Sequence, residues 1–241
     1  MGMHRMFEEG LVAHVGDVVV IGGDEAQHAA RVKRVEVGER VQVLNGAGFV
    51  ADGEVAEIRK GRGGWEVAVR VLSTRVVEMR KPQVEVWTGV PKGDRLEEMV
   101  DQLAQIGVAA WGRLHAARSV VEPREGKMTR VARRAVEASK QCGRAWSMRV
   151  DEGGDLSVAL QAGSSGVTVV MADASGEAYV RTGAAQIRVL VGPEGGWTED
   201  EVRLAREAGA IIARFGEHVM RVETAAPVAA AVVLAAESRG S

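Results

Sequence analysis

Three short runs carry residue types whose spacing could do chemistry. The first is Gly192-Pro193-Glu194-Gly195-Gly196-Trp197. Three glycines and a proline make a tight turn where a backbone can approach a ligand closely. The run follows an apolar stretch, Ile187 to Val191, and leads into a helix signposted by Thr198 as N-cap and Glu201 three residues later, the capping-box spacing. It has neither the Lys-Ser/Thr of a phosphate loop nor the G-x-G-x-x-G of a dinucleotide fingerprint, so an ordinary turn before a capped helix is the competing reading. The second run, Phe215 to Ala226, passes from Gly216 through Arg221 and Glu223 to Thr224, which would cap an almost wholly apolar helix with Pro227 in its first turn. Arg221 and Glu223 read equally well as a surface pair at a helix start, where a glutamate is favoured anyway. The third is Asp173-Ala174-Ser175-Gly176.

These runs are expected to meet because of the elements around them. From Val84 the pattern alternates strand and helix, which argues an α/β domain with a largely parallel sheet, and ligands bind such sheets beyond the carboxyl ends of the strands. Val84–Val90, Val108–Leu114, Val167–Ala172, Ile187–Val191 and Ala210–Phe215 read as strands. Asp94 caps a helix with Leu96, Met99, Val100 and Leu103 on one face, stopped by Gly107. Thr129–Cys142 is a second helix, its surface carrying Arg130, Arg133, Arg134 and Lys140. Residues 1–75 differ: short β-branched stretches separated by Gly-rich turns suggest a small barrel or sandwich, with one helical turn near Asp24 carrying His28 and Arg31. The domain boundary is placed in the charged segment Ser73 to Pro82.

Composition narrows the function classes. The 241 residues are 46% hydrophobic with a net charge of −2, which excludes global disorder and a uniformly basic nucleic-acid binder. The distribution is uneven. Residues 113–149 carry ten Lys/Arg against three Asp/Glu, and residues 151–241 carry seven against thirteen, so a basic segment able to attract polyanions hides within a neutral total. One cysteine, Cys142, and five scattered histidines give neither a disulfide framework nor a metal-ligand spacing. No secretory leader is visible. The longest apolar run, Ala225 to Ala236, is too short to span a bilayer. A cytoplasmic protein without membrane or metal is expected.

The combination Leu190 to Trp197, then Phe215-Gly216 through Met220-Arg221-Val222-Glu223-Thr224-Ala225, resembles the RsmE family of 16S ribosomal RNA (uracil-N3)-methyltransferases, of the knotted SPOUT class. The likeness runs over most of the chain. Met3 to Phe7 is similar to the family's start, and His28-Ala29-Ala30-Arg31-Val32-Lys33-Arg34 with Gly38 to its N-terminal His/Arg signature. Gln105 to Val108, Arg118-Ser119-Val120 and Glu137 to Arg144 occupy the places of further motifs. Each is weak alone; in order they are strong. The chain departs at Val222, where threonine is usual, at His218 and Lys140, and at Gln105-Ile106.

The resemblance implies an N-terminal PUA-like β-barrel over 1–75 and a SPOUT α/β domain with a deep trefoil knot over 76–241, acting as a homodimer on 16S rRNA within the small ribosomal subunit, with S-adenosylmethionine as cofactor. The implied cofactor-binding positions are Ala172, Leu190, Gly192, Glu194, Gly195, Gly196, Phe215, Gly216, Val219, Met220, Arg221, Thr224 and Ala225, with Glu194 shaping the loop more than acting as an acid. Arg118 and Arg221 are candidates for stabilising the uracil anion. Glu223 is a possible base, although capping or orienting an arginine suits it as well. His28, Arg31, Arg34, Arg118, Arg134 and Arg144 are the candidate RNA contacts, with the basic helix that bears Lys140 as a phosphate-contacting face. Two other readings stay open: a SPOUT methyltransferase for another rRNA or tRNA nucleotide, and a non-catalytic RNA-binding or ribosome assembly factor.

Overall fold

The computed structural model describes residues 3–120 and 125–238. The chain forms two units, Met1–Met79 with Ser139–Ser147, and Arg80–Ala138 with Met148–Ser241.

The first unit is a mixed sheet. Its strands are β1 (His4–Phe7), β2 (Val18–Ile21), β3 (Arg40–Leu44), β4 (Phe49–Gly61) and β5 (Gly64–Val76), in the order β1-β3-β4-β5-β2. β1 runs parallel to β3 and the other pairs are antiparallel. Period-two alternation puts Val67, Val69 and Val71 of β5 into a core with Met6, Ile21, Val41 and Val43. The helical turn expected near Asp24 is longer than one turn: α1 (Gly23–Gln27) runs on into a π-helical segment, His28–Lys33, ended by Arg34 in the left-handed region at φ 55°.

The segment Ser139–Ser147 packs within this unit. Gly48 donates to the Ala145 carbonyl (2.9 Å) and the Trp146 indole to the Val77 carbonyl (2.7 Å). Lys140 is buried, its ammonium 2.7 Å from the Glu25 carboxylate. This corrects its assignment to a phosphate-contacting face. A buried ammonium needs a fixed anion beside it, and here Glu25 supplies one.

The second unit is a parallel α/β domain. Its six strands are β6 (Gln83–Thr88), β7 (Ala110–His115), β8 (Arg149–Asp155), β9 (Thr168–Ala178), β10 (Gln186–Val191) and β11 (Ile211–Arg214), in the order β11-β9-β10-β6-β7-β8. Every pairing is parallel. Helices α2 (Arg95–Ile106), α3 (Glu125–Gln141) and α6 (Val222–Ser238) share one core with Val84, Val86, Ile187 and Val189. Helices α4 (Leu156–Gln161) and α5 (Glu199–Glu207) share another with Trp87, Met171 and Leu190. The sheet is therefore covered on both faces, as parallel sheets are.

Four local readings change. Asp94 caps α2 through its carbonyl, which accepts from Glu97 and Glu98, and not through its side chain. Asp173–Gly176 is not a loop: β9 leaves β10 at Ala172 and continues to pair Glu177 and Ala178 with Ala213 and Arg214 across a bulge. Gly176 sits so close there that a Cβ would lie 2.4 Å from the Ile212 carbonyl oxygen. Helix α6 starts earlier than Thr224, because the Arg221 carbonyl already accepts from Thr224 and Ala225 (2.9 and 2.8 Å). Pro227 consequently lies inside α6 and not in its first turn.

Candidate active site

Strand order decides which loops can share a ligand. β11, β9, β10 and β6 are adjacent and parallel, so the segments leaving their carboxyl ends open at one edge. Those segments are Phe215–Arg221, Asp173 onward, Gly192–Trp197 and Gly89–Asp94. The Phe215–Arg221 segment leaves the outermost strand, β11, yet α6 packs against the more central β6 and β10 and against α2. Glu223, in the first turn of α6, reaches Arg95 at the start of α2, 3.1 Å away. The segment therefore runs from the end of β11 toward the sheet centre, past the carboxyl ends of β9 and β10, from the second of which the Gly192–Trp197 run departs.

The Gly192–Trp197 turn is held by side chains from three directions. Trp197 is 8% exposed and its indole N–H donates to the Ala172 carbonyl (2.9 Å), where β9 leaves β10. Arg118 donates through Nη1 to the carbonyls of Gly195 (2.7 Å) and Trp197 (3.2 Å). Gly196 closes the turn onto the Pro193 carbonyl at φ 68°, where a Cβ is strained. On the β6 side, a Cβ at Gly89 would stand 2.8 Å from Pro193 Cα. The capping box forms in full: Thr198 Oγ1 accepts from the Glu201 N–H, and Glu201 accepts from the Thr198 N–H. The other oxygen of Glu201 accepts from Ala117 (2.8 Å), tying residues 117–118 to the turn at two points.

The opposite wall is built differently. Phe215 stacks on Tyr179, ring centroids 5.7 Å apart, and Met220 lies under Gly216, where a Cβ would meet its methyl at 3.3 Å. Glu217, His218 and Val219 are exposed, Val219 to 94%. Arg221 is exposed and makes no ion pair among the described residues. The sequence suggested an Arg221/Glu223 pair. Instead Glu223 Oε1 pairs with Arg95, while Oε2 is buried without a hydrogen-bond partner. Arg95 escaped the sequence reading; its place at the start of α2, after the strand-end run Gly89–Asp94, was the available signal.

The other candidate positions fall as follows. Leu190 is fully buried under the turn, and Glu194 is exposed at its tip. Thr224 and Ala225 lie in the first turn of α6. His28, Arg31, Arg34 and Arg144 belong to the first unit, Arg118 and Arg134 to the second. His28 and Arg31 line one shallow cavity of about 360 Å³ with Asp24, Gln27 and Val32. Burial pushes the Arg144 guanidinium below its ordinary value, an effect the neighbouring Cys142 offsets in part. On α3, Arg134 pairs with Asp101 (2.9 Å) and Arg130 with Glu97 (3.3 Å), both carboxylates on α2. Much of that helix's charge is thus answered within the unit.

Among the described residues, no group of three or more His, Cys, Asp or Glu could hold a metal ion, and no helix is long and apolar enough to cross a membrane. What the site offers is bare backbone at Gly195, Gly196 and Gly216, the apolar side chain of Met220, and at the start of α6 the exposed guanidinium of Arg221. That set fits a flat uncharged ring bound by backbone groups, with an anion developing next to it.

Known proteins match this arrangement over nearly all of its length. Residues 78–234 match the family described as RNA methyltransferase domain, and residues 21–62 the RNA methyltransferase PUA domain. The chain is 34% identical over 238 residues to the ribosomal RNA small subunit methyltransferase E of Mycobacterium tuberculosis, covering 93% of this chain and 88% of that one. A methyltransferase-like protein of Legionella pneumophila, solved with S-adenosylmethionine bound, superposes with a TM-score of 0.83 at 25% identity, covering 98% of each chain. The ribosomal RNA small subunit methyltransferase E of Neisseria gonorrhoeae shares the fold at a TM-score of 0.83 and 24% identity, over 96% of each chain. Matched in both its parts and along nearly all its length, the chain belongs to the ribosomal RNA small subunit methyltransferase E family, RsmE.

Proposed function

We propose that the protein methylates N3 of one uridine in the 16S rRNA of the small ribosomal subunit, with S-adenosylmethionine as donor. The observation that carries this is the Arg95–Glu223 contact, which ties the end of the Gly216–Arg221 wall to the segment leaving β6, whose Gly89 packs against Pro193 of the other glycine wall, in a chain of this family. The cofactor supplies an electrophilic methyl group; the protein supplies position and charge. Backbone groups of Leu190, Gly192 and Gly195 hold the adenine and ribose on one side, and Gly216, Val219 and Met220 close the other. In-line approach of uracil N3 to the methyl then depends on the two walls being fixed together.

N3 of uracil is a weak acid and must lose its proton. Arg221 is exposed at the start of α6, where the helix N-terminus adds its own positive end. Together they stabilise the developing charge on a uracil oxygen. One such donor is worth about 3 kcal/mol in comparable oxyanion sites. Arg118, spent on the Gly195 and Trp197 carbonyls, shapes the cofactor turn. Glu223 gives Oε1 to Arg95 and keeps Oε2 buried, so its part is to fix the start of α6 beside Arg221.

The same reading makes residues 1–75 a PUA-like barrel that grips RNA through His28, Arg31 and Arg34, joined by Arg144 of the same unit, and residues 76–241 a SPOUT domain. The return of the chain from the edge strand β11 to α6 under the sheet centre supports the reading of a trefoil knot. Ala231, Val232 and Ala235 form an exposed apolar stripe on α6, suited to a second protomer; a monomer by light scattering at micromolar concentration overturns the dimer. The deciding experiment is transfer of labelled methyl from S-adenosylmethionine to small subunits lacking the modification, followed by nucleoside mass spectrometry. N3-methyluridine is the expected product, and any other methylated nucleoside overturns the assignment.

A further inference from the structure

Glu237, near the end of α6, is a carboxylate 5% exposed that collects four hydrogen bonds. Its Oε1 accepts from the Tyr179 hydroxyl (2.7 Å), the Thr182 N–H (2.7 Å) and the Thr182 hydroxyl (2.9 Å), and its Oε2 from the Gly183 N–H (2.9 Å). A buried carboxylate with this many donors is satisfied and fixed in one geometry. All four come from the link between β9 and β10. Tyr179, clamped at its hydroxyl, presents its ring to Phe215 in a stack tilted by 23°. Phe215 is the residue from which the Gly216–Arg221 wall departs. None of these contacts is needed to form a strand or helix, and Thr182 and Gly183 are otherwise surface residues.

We infer that Tyr179 is a positioning residue for the cofactor site: held by Glu237, its ring fixes Phe215 and with it the Gly216–Arg221 wall. The inference rests on the reading of that wall as part of the cofactor site. The C-terminal end of α6 thereby sets the far end of a wall that the helix's own first turn completes, so one helix governs both ends of the segment. Aromatic pairing of this geometry is directional and is lost when either ring is removed.

The test uses the full-length protein and three readouts: affinity for S-adenosylmethionine by calorimetry, the KM-against-kcat split in methyl transfer to small subunits, and hydrogen exchange of the 215–221 amides without ligand. Tyr179→Leu removes the ring; Tyr179→Phe keeps it and loses the clamp; Glu237→Gln keeps one acceptor oxygen and loses the other together with the charge. Tyr179→Leu is expected to weaken cofactor affinity and raise its KM roughly tenfold, to leave kcat within about twofold, and to speed exchange in 215–221. Tyr179→Phe should restore most of the affinity. Phe215→Leu combined with Tyr179→Leu should cost no more than either alone, since both break one stack. Unchanged cofactor affinity in folded Tyr179→Leu overturns the inference, as does full additivity in the double variant. Gly216→Val separates the two levels: if it leaves affinity unchanged, the reading of the wall fails; if it weakens binding while Tyr179→Leu does not, only the positioning role fails.

Discussion

The two walls of the site solve one problem by opposite means. The Gly192–Trp197 wall is braced along its length: an indole, a guanidinium and a capping glutamate each bond to backbone in or beside the turn. The Gly216–Arg221 wall is braced at its ends, by the Phe215–Tyr179 stack and by the first turn of α6, while its middle faces solvent. A braced wall is preorganised and adds little ordering cost when a ligand arrives; an end-held wall must be ordered by the ligand and can gate it. The comparison teaches a division of labour. The first wall supplies a preformed shape, and the second adds affinity by closing on the cofactor and, through Arg221, supplies the chemistry.

The sharpest way to break that division is to remove chemistry without touching shape. Arg221→Ala is expected to lower kcat by on the order of 10²–10³ while cofactor affinity stays within about threefold; Glu223→Gln should cost less. Equal losses in the two variants, or a loss confined to affinity, would contradict the division. The converse change attacks the braced wall. Trp197→Ala should destabilise the fold by roughly 3–5 kcal/mol, the usual cost of emptying a buried aromatic site, visible as a lowered Tm together with lost cofactor binding. Arg118→Ala comes next: cofactor Kd should rise roughly five- to tenfold, the effect of its two charge-assisted hydrogen bonds discounted for exposure, with kcat little changed. A kcat collapse there would return Arg118 to the reacting uracil. Smaller again is the salt effect. If the first unit grips phosphate, affinity for small subunits should fall steeply with salt, and Arg31→Ala or Arg34→Ala should each reduce the slope by about one.

The smallest expected effect is at acid pH. Burial alone would raise the Glu237 carboxyl, but the bonds from Thr182, Tyr179 and Gly183 outweigh it and hold the group below its ordinary value. A lowered folded-state value means that the stabilisation is complete above the ordinary carboxylate range, about pH 4.3 for a glutamate, and is lost as pH falls through the folded value. Thermal melts of Glu237→Gln should therefore approach those of the wild type as pH drops below that range. A constant difference down to pH 2 would remove Glu237 as the titrating group.

What the sequence revealed follows from the range of the forces involved. The Thr198/Glu201 capping box and the Gly107 stop are local, and both stand where the spacing placed them. Leu96, Met99, Val100 and Leu103 bury the face their period marked. Strand β8, Arg-Val-Asp-Glu-Gly-Gly-Asp, carries almost no apolar signal because it is an edge strand, and it bends at Gly153, where a Cβ would collide with Arg113 backbone. The start of α6 was misjudged because Thr224 and Pro227 imitate a cap and a first-turn proline, whereas Arg221 begins the hydrogen-bond ladder. The Arg95–Glu223 and Lys140–Glu25 pairs join residues more than a hundred positions apart. No spacing rule reaches them, and only the fold supplies the partners.

The return of Ser139–Ser147 to the first unit has a consequence for how the protein is made. Synthesis delivers the β-rich unit first, and domains generally begin to fold as they emerge. This one cannot finish then. Glu25 waits for Lys140, and the Val77 carbonyl for the Trp146 indole, so the first unit stays incomplete until residue 147 has left the ribosome. A nascent chain halted at Met79 should remain protease-sensitive, and the order of translation is not the order in which these two units become stable.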